Sequence, residues 1–265
     1  MRHLLLAALP LLALGAAACV DLPQAGGAPA GSISRTSFAD LDPGAKTQIS
    51  LHFEVRAYAV DRAAAVSELA ERSYEGIMRD TGLMSFMPRG LYPVVIYGSK
   101  EEYLRKTGMP SWSGGAAAGN SIYTFEGPQL PAVLAHEMTH LVFNEYMGRD
   151  RTDLRWVNEG LAVYEERTLA NLSYPQLDGS HPPLPFDRMS DVAPLSEGAF
   201  DAGAWYAQVT SVVRFMIERG GRIGFGQFLA SLKDGRTMED SVRVGFPGIW
   251  TSTGALEASW RRTLQ

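Results

Sequence analysis

Two histidines and a glutamate stand close together in the middle of the chain, in the run His136-Glu137-Met138-Thr139-His140. Side chains four residues apart lie one above the other on an α-helix, so both imidazoles could reach a single metal ion. Glu137 would be rotated by one residue step from the histidines, close to the ion without having to bind it. It could take a proton from a metal-bound water. The expected chemistry is metal-assisted hydrolysis.

A third metal ligand is expected from Glu159, which follows His140 after eighteen intervening residues. A helix that continues about two turns past His140, ends at Gly148 and is followed by an antiparallel helix would return Glu159 to the histidines. Two histidines, one glutamate and an open fourth position are typical of a catalytic rather than a structural zinc site. The sequence therefore predicts Zn²⁺ bound by His136, His140 and Glu159, with Glu137 as the general base.

The helix that carries the histidines is marked at both ends. Pro131 suits a first helical turn, the sixteen residues from Ala132 to Met147 contain no Gly or Pro, and Gly148 ends the run. Apolar residues point in several directions around this helix, as expected of a helix enclosed by the fold. We therefore expect a buried helix, followed by an antiparallel helix on which Glu166 lies near the face of Glu159.

These motifs resemble those of a known group of enzymes. The run His-Glu-Met-Thr-His at 136–140, followed by Trp-Val-Asn-Glu-Gly-Leu-Ala at 156–162, resembles the gluzincin zinc metallopeptidases over about Ala135 to Glu165. More loosely, the size of the chain and the Ala204–Gln208 segment resemble small bacterial proteins with a peptidase-MA-like domain. The resemblance implies a zincin-like metallopeptidase fold, with the three ligands and the general base named above in those roles.

The resemblance also bears on the type of peptidase. The aminopeptidases of the gluzincin group carry a Gly-Ala-Met-Glu-Asn loop that holds the free amine of the substrate, and this chain has no such run. Endopeptidase activity is therefore slightly favoured over aminopeptidase activity.

Hydrolysis of a peptide bond also needs a donor for the oxyanion of the tetrahedral intermediate, usually a Tyr or His from outside the metal helices. The candidates are Tyr206, at the start of a predicted helix, and His181, in a predicted loop. Tyr206 matches a recurrent tyrosine of the related domains and is preferred as the second catalytic residue. The alternative is a structural tyrosine that is hydrogen-bonded in the core.

The flanking segments predict a single α+β domain. Period-two alternation or short apolar runs predict strands at Ile49–Val55, Tyr92–Tyr97 and Ser121–Phe125. Helices are predicted from Asp61 to Gly82 and from Ser99 to Leu104. We expect a small, mostly antiparallel sheet packed on the active-site helix, with a helical C-terminal half.

The strand just before the metal helix is a candidate for binding substrate. In zinc peptidases such a strand commonly pairs with an extended peptide, so Asn120–Tyr123 could lend backbone hydrogen bonds by strand addition. An ordinary edge strand beside a flexible turn is the alternative.

The first nineteen residues are predicted to be a secretion signal, because the apolar run Leu4–Ala18 is too short to span a bilayer. The small residues before Cys19 suit an ordinary signal peptidase, and the cysteine suits a bacterial lipoprotein signal, in which it becomes the acylated N-terminus. Cys19 is the only cysteine in the chain, so it closes no internal disulfide. Lipid attachment would explain its presence, and removal with the signal is the alternative.

Residues 20–46 are rich in Gly, Ala, Pro and Ser, which predicts a flexible tether and leaves 47–265 for the metallopeptidase domain. A tether of this kind would separate the domain from a lipid in the membrane. The protein is therefore expected to be exported to the cell envelope and anchored on the periplasmic side of a bacterial membrane, with outer-membrane sorting favoured.

The charge of the chain excludes one class of partner. The chain has 24 basic and 29 acidic residues, a net charge of -5, and a pI near 5.6. This acidic balance gives no basic surface for nucleic acid. We expect a peptide or protein substrate. The alternative is a catalytically silent, lipid-anchored binding or assembly factor that keeps the zincin fold, and the intact Glu137 favours the enzyme.

Overall fold

The computed structural model describes residues 37–148, 151–177, 182–190 and 199–264, and these ranges contain five strands and eight α-helices. The strands are β1 (Lys46–Ile49), β2 (Phe53–Ala57), β3 (Tyr92–Tyr97), β4 (Gly115–Ala118) and β5 (Ser121–Phe125). The helices are α1 (Val60–Thr81), α2 (Lys100–Thr107), α3 (Leu130–Met147), α4 (Arg155–Leu169), α5 (Ala199–Gly220), α6 (Arg222–Lys233), α7 (Met238–Gly245) and α8 (Thr253–Arg261). Short 3-10 helices lie at Thr152–Leu154, Phe186–Arg188 and Arg262–Leu264.

The five strands form one mixed sheet in the order β1-β2-β3-β5-β4. The pairs β1–β2 and β4–β5 are antiparallel, and the pairs β2–β3 and β3–β5 are parallel. The α+β class is confirmed, but the sheet is mixed rather than mostly antiparallel. The 22-residue helix α1 lies between β2 and β3 and carries the chain back along the sheet, so β3 pairs parallel to β2.

The predicted strand at Ile49–Val55 is two strands joined by a turn. The backbone N–H of Ser50 donates to the carbonyl of Phe53 at 2.9 Å, which closes the turn between β1 and β2. Ile49 and Leu51 are 60% and 76% exposed, so their alternation does not place them in the core. Single apolar residues are tolerated at a protein surface. The alternating pattern can therefore continue through the turn although these two side chains are exposed.

The main hydrophobic core fills the space between one face of the sheet, α1 and α3, and continues into the helical C-terminal half. Its largest fully buried side chains in that half are aromatic: Trp205, Phe225, Phe228, Phe246 and Trp260. Within the described ranges, no helix is both long and apolar enough to cross a membrane.

A second, smaller core covers the opposite face of the sheet, where α2 and the chain before β1 pack. Phe38 meets the ring of Tyr123 edge-on at 5.0 Å between centroids, and the hydroxyl of Tyr97 donates to the carbonyl of Ala39 at 2.5 Å. Residues 37–45, which the composition assigns to the tether, therefore pack on the domain. The predicted signal, Cys19 and residues 20–36 lie outside the described residues.

A buried charged cluster joins α1, α4 and α6. Asp80 on α1 is 1% exposed and accepts from Arg79 at 3.2 Å and from Arg222 of α6 at 3.0 Å. Glu165 on α4 is fully buried, and neither of its carboxyl oxygens has a hydrogen-bond partner among the described residues. Burial and the charge of Asp80 raise the pKa of Glu165 well above its ordinary value, although Arg79 and Arg222 act in the opposite direction.

This raised pKa predicts how stability changes with pH. The unfolded chain releases the proton of Glu165 near pH 4.5, whereas the folded protein keeps it to much higher pH. The free energy of unfolding should therefore fall by about 1.4 kcal/mol per pH unit above that value, until the folded-state pKa is passed. In Glu165→Gln this contribution is absent, so urea unfolding should show the variant gaining stability relative to wild type as the pH rises. Parallel stability curves would mean that Glu165 is ionised in the folded protein.

Candidate metal centre

Helix α3 holds His136 and His140 on one face inside the protein. It contains Pro131 in its first turn, where a missing N–H removes no helical hydrogen bond, and it ends at Gly148, whose φ of 70° is left-handed. The two histidines are 2% and 5% exposed, and their ring centroids lie 4.8 Å apart. The predicted helix is confirmed, and it brings both imidazoles to one place.

Glu159 reaches the same place from α4, which packs along α3. Its Oε2 atom lies 4.0 Å from His136 Nε2 and 3.8 Å from His140 Nε2. The three ligand atoms all lie within 4.8 Å of one another. The structure therefore brings together the three residues that the sequence assigns to a metal.

The chemistry of these atoms fits a zinc ion. The Nε2 atoms of His136 and His140 are buried, and neither has a hydrogen-bond partner in the part of the chain that the structure describes. An unpaired buried polar atom costs about 1–3 kcal/mol, a cost that binding to a cation would remove. A tetrahedral zinc ion holds neighbouring nitrogen and oxygen ligands about 3.4 Å apart. The separations of 3.8 and 4.0 Å between Glu159 Oε2 and the two Nε2 atoms are close to that spacing.

Each histidine is oriented by a hydrogen bond through its other ring nitrogen. His136 Nδ1 lies 2.9 Å from Glu166 Oε2, and His140 Nδ1 lies 3.0 Å from Asn158 Oδ1. These oxygens accept, so each Nδ1 donates its proton and each Nε2 is the atom left to bind the ion. The sequence places Glu166 near the site but assigns neither residue this role. The available signal was their position on α4: Asn158 stands one residue before Glu159, and Glu166 stands seven residues after it.

Carboxylates dominate the electrostatics around His136. Burial lowers the pKa of His136, but the hydrogen bond to Glu166 and the charges of Glu166, Glu137 and Glu159 outweigh this and raise it to about 9. The same negative potential attracts a divalent cation. The electrostatics of the site therefore agree with its geometry.

A comparison with known protein families agrees with the geometry and the electrostatics of the site. The model of the peptidase MA superfamily matches residues 73–265, which is more than half of the chain. The chain belongs to the peptidase MA superfamily. No curated protein and no solved structure matches it. The matched residues of this peptidase MA domain include β3–β5 and both helices that carry the candidate ligands.

Glu137 of the peptidase MA domain is next in sequence to the candidate ligand His136 and packs against the start of β4. It is 2% exposed, and its charge contributes to the raised pKa of His136, so its carboxylate is near that ring. On the other side its Cγ atom lies 3.3 Å from the point where a Cβ on Gly115 would stand. The predicted general base is therefore next to the candidate metal site and against the start of β4.

The edge of the sheet beside this site is β4, not β5. Strand β5 is paired on both sides, with β3 and β4, so Tyr123 and its neighbours in the strand cannot add a peptide strand there. The prediction for Asn120–Tyr123 is corrected accordingly. The sequence did not indicate β4 as a strand because Gly and Ala, which make up Gly115–Ala118, have low β propensity.

Tyr206 lies on α5, which packs against α4. A Cβ on Gly160 would lie 2.5 Å from the carbonyl oxygen of Val209, so the backbones of the two helices approach closely at the residue after Glu159. Tyr206 is one turn before Val209, is half-buried, and meets the ring of Trp205 edge-on at 5.1 Å. Its predicted role in catalysis stays a prediction. His181, the other candidate, lies outside the described residues.

The contact between Glu166 and His136 predicts an effect on metal affinity in this peptidase MA domain. Glu166→Ala should weaken zinc binding by about 10- to 100-fold, because the partner of a ligating histidine fixes its ring and proton. Glu166→Gln, which keeps an accepting oxygen, should have a smaller effect. Titration against a competing chelator measures both affinities. Glu218→Ala, which removes an exposed carboxylate paired with Arg214, is the control. Equal affinity in Glu166→Ala and wild type would contradict the orienting role.

Proposed function

We propose that the protein is a zinc-dependent metallopeptidase that hydrolyses peptide bonds in the cell envelope, with Glu137 as its general base. Membership of the peptidase MA superfamily supports a peptidase domain. The observation that carries the proposal is the convergence of His136, His140 and Glu159, whose ligand atoms meet beside the buried carboxylate of Glu137.

The donor set gives the ion and the base separate roles. When bound, zinc lowers the pKa of a water molecule and polarises the scissile carbonyl. The carboxylate of Glu137 takes a proton from the attacking water and delivers it to the nitrogen of the leaving amine. The hydroxyl of Tyr206 is the proposed donor to the oxyanion. Burial of these groups strengthens each electrostatic interaction among them.

The sheet edge supports a peptide as the substrate. Strand β4 has one paired neighbour in the described sheet, so its other side can pair with an extended chain. Because Gly115 lies against Glu137, a peptide on this edge would pass directly beside the base. Backbone pairing holds the middle of a peptide as well as its end, which agrees with the absence of an amine-binding loop. Endopeptidase activity is therefore proposed.

The proposed location of the protein rests on its N-terminal sequence. We propose that Cys19 carries lipid and anchors the domain to the bacterial outer membrane on the periplasmic side. The apolar run before Cys19 and its place as the only cysteine support this proposal.

The test of the proposed function is cleavage of a peptide library by purified, zinc-loaded protein, read by mass spectrometry. Wild type should cleave and Glu137→Gln should not. A folded, zinc-loaded wild type that cleaves nothing would favour the catalytically silent binding factor. Equal cleavage by both proteins would mean that Glu137 is not the base.

A further inference from the structure

The backbone of Gly115, at the start of β4, packs directly against the side chain of Glu137, the proposed general base. A Cβ on Gly115 would lie 2.5 Å from Val133 Cγ1, 3.3 Å from Glu137 Cγ and 3.3 Å from the carbonyl oxygen of Tyr123. Gly115 is buried and is not one of the glycines with positive φ. The backbone conformation therefore does not require glycine here, and the close approach to α3 does.

Buried hydroxyls hold this backbone in place. Ser113 Oγ donates to the carbonyl of Gly115 at 2.9 Å, and Thr124 Oγ1 donates to the carbonyl of Gly114 at 2.8 Å. The hydroxyl of Tyr103 lies 2.7 Å from Ser113 Oγ. Tyr103, Ser113 and Thr124 are fully buried, so water does not compete for these bonds. The Gly114–Gly115 backbone is thus a fixed wall rather than a mobile loop end.

Glu137 is buried against this wall and is next in sequence to the candidate ligand His136. Its Cγ atom lies 3.3 Å from the Cβ position on Gly115, and its side chain is 2% exposed. A general base has to hold its oxygen within hydrogen-bond reach of the proton that it takes. A displacement of about 1 Å at such a position can reduce the rate by about 100-fold, so a shift of a few tenths of an ångström should reduce it several-fold.

We propose that Gly115 is a positioning residue for Glu137: the bare backbone of β4 fixes the side chain of the base in its working orientation. This inference rests on the proposed function of Glu137. A Cβ at this position would lie 3.3 Å from Glu137 Cγ, so the base would have to shift by a few tenths of an ångström even where the strand itself is retained.

Four variants test this role. Gly115→Ala adds one methyl group, Val133→Ala removes the atom in the closest contact, and the double variant combines them. Gly90→Ala is the control, because nothing lies within 4 Å of its Cβ position and its φ is not positive. Melting temperature, zinc content, kcat and KM are measured on each protein.

Gly115→Ala is expected to lower kcat by about 3- to 10-fold, with little change in KM or zinc content, and to lower the melting temperature. In the double variant the 2.5 Å contact is gone, so the melting temperature should rise toward that of Val133→Ala. The 3.3 Å contact with Glu137 stays, so kcat should remain low. Recovery of kcat together with the melting temperature, or failure of the double variant to fold, would show a purely structural role and overturn the proposal.

A binding measurement separates this inference from the proposed function. Acetohydroxamic acid gives up a proton when it binds zinc, and Glu137 is the base beside the site. Its affinity for the zinc-loaded protein should fall about 3- to 10-fold in Gly115→Ala and in the double variant, and should not change in Gly90→Ala. Equal affinities would overturn the positioning role even if the wild type cleaves peptides. An inactive wild type would contradict the proposed function, and the affinities would still decide the role of Gly115.

Discussion

Replacing Glu137 with glutamine is expected to reduce the rate of peptide hydrolysis by about two to four orders of magnitude, the usual contribution of a general base. Glutamine has nearly the same shape and fits the buried space beside Gly115 and His136. It cannot take a proton from water. The loss should therefore appear in kcat, because the missing interaction is made in the transition state.

The zinc content of Glu137→Gln should stay near one ion per chain, because Glu137 is not one of the three converging ligands. Glu145→Gln is the matched control, since Glu145 lies on the same helix and binds Tyr92 and the backbone of Arg89 instead. That variant should keep both activity and zinc. If Glu137→Gln loses zinc as readily as a ligand variant does, the assignment of roles at the site is wrong.

Replacing any one of His136, His140 and Glu159 with alanine is expected to remove most of the zinc from the purified protein. A catalytic zinc site has three protein ligands, and losing one leaves two ligands and an enlarged, wetter cavity. Metal content measured by atomic spectroscopy should fall from about one ion per chain toward zero, and hydrolysis should fall with it.

His52→Ala provides the control for loss of a histidine. His52 is partly buried, bonds Glu71 at 2.7 Å and stacks on Tyr74, away from the three ligands. Its replacement should leave the metal content unchanged. Retention of zinc by all three ligand variants would place the metal elsewhere, and retention by Glu159→Ala alone would limit the site to the two histidines.

The difference between these two predictions also separates the enzyme from a silent binding factor. A protein that keeps the fold and zinc only for binding would lose metal in the ligand variants, but it would behave identically with glutamate or glutamine at position 137. The proposed peptidase would lose metal and activity in the ligand variants, and it would lose activity but keep metal in Glu137→Gln. Metal analysis and cleavage assays on the same preparations therefore distinguish the two functions.

The two candidate histidine ligands could be predicted from the sequence because their spacing is local. Four-residue spacing places His136 and His140 on one helical face whatever surrounds the helix. The boundaries of α3 followed from Pro131 and Gly148 for the same reason, since helix ends depend on neighbouring residues. Glu159 needed one further assumption, that the next helix returns antiparallel, and the short segment before α4 made that the simplest path.

Strand arrangement could not be predicted in this way. Alternation indicates which face of a strand is buried, but the direction of its partner depends on how a connecting helix crosses the sheet. This is why the mixed strand order was not predicted and why the free edge was assigned to β5 instead of β4. The docking of residues 37–45 is likewise a contact between distant segments, and Phe38 meets its partner Tyr123 only in the folded chain.

The sequence by itself determined which residues are the candidate metal ligands and the candidate base, because a helix converts sequence spacing directly into direction in space. Only the tertiary structure decided what surrounds them: Glu166 and Asn158 as the partners that orient the histidines, and Gly115 as the wall against Glu137. These contacts join separate elements at distances of a few ångströms. They depend on the packing of α3 against α4 and β4, which no local pattern encodes.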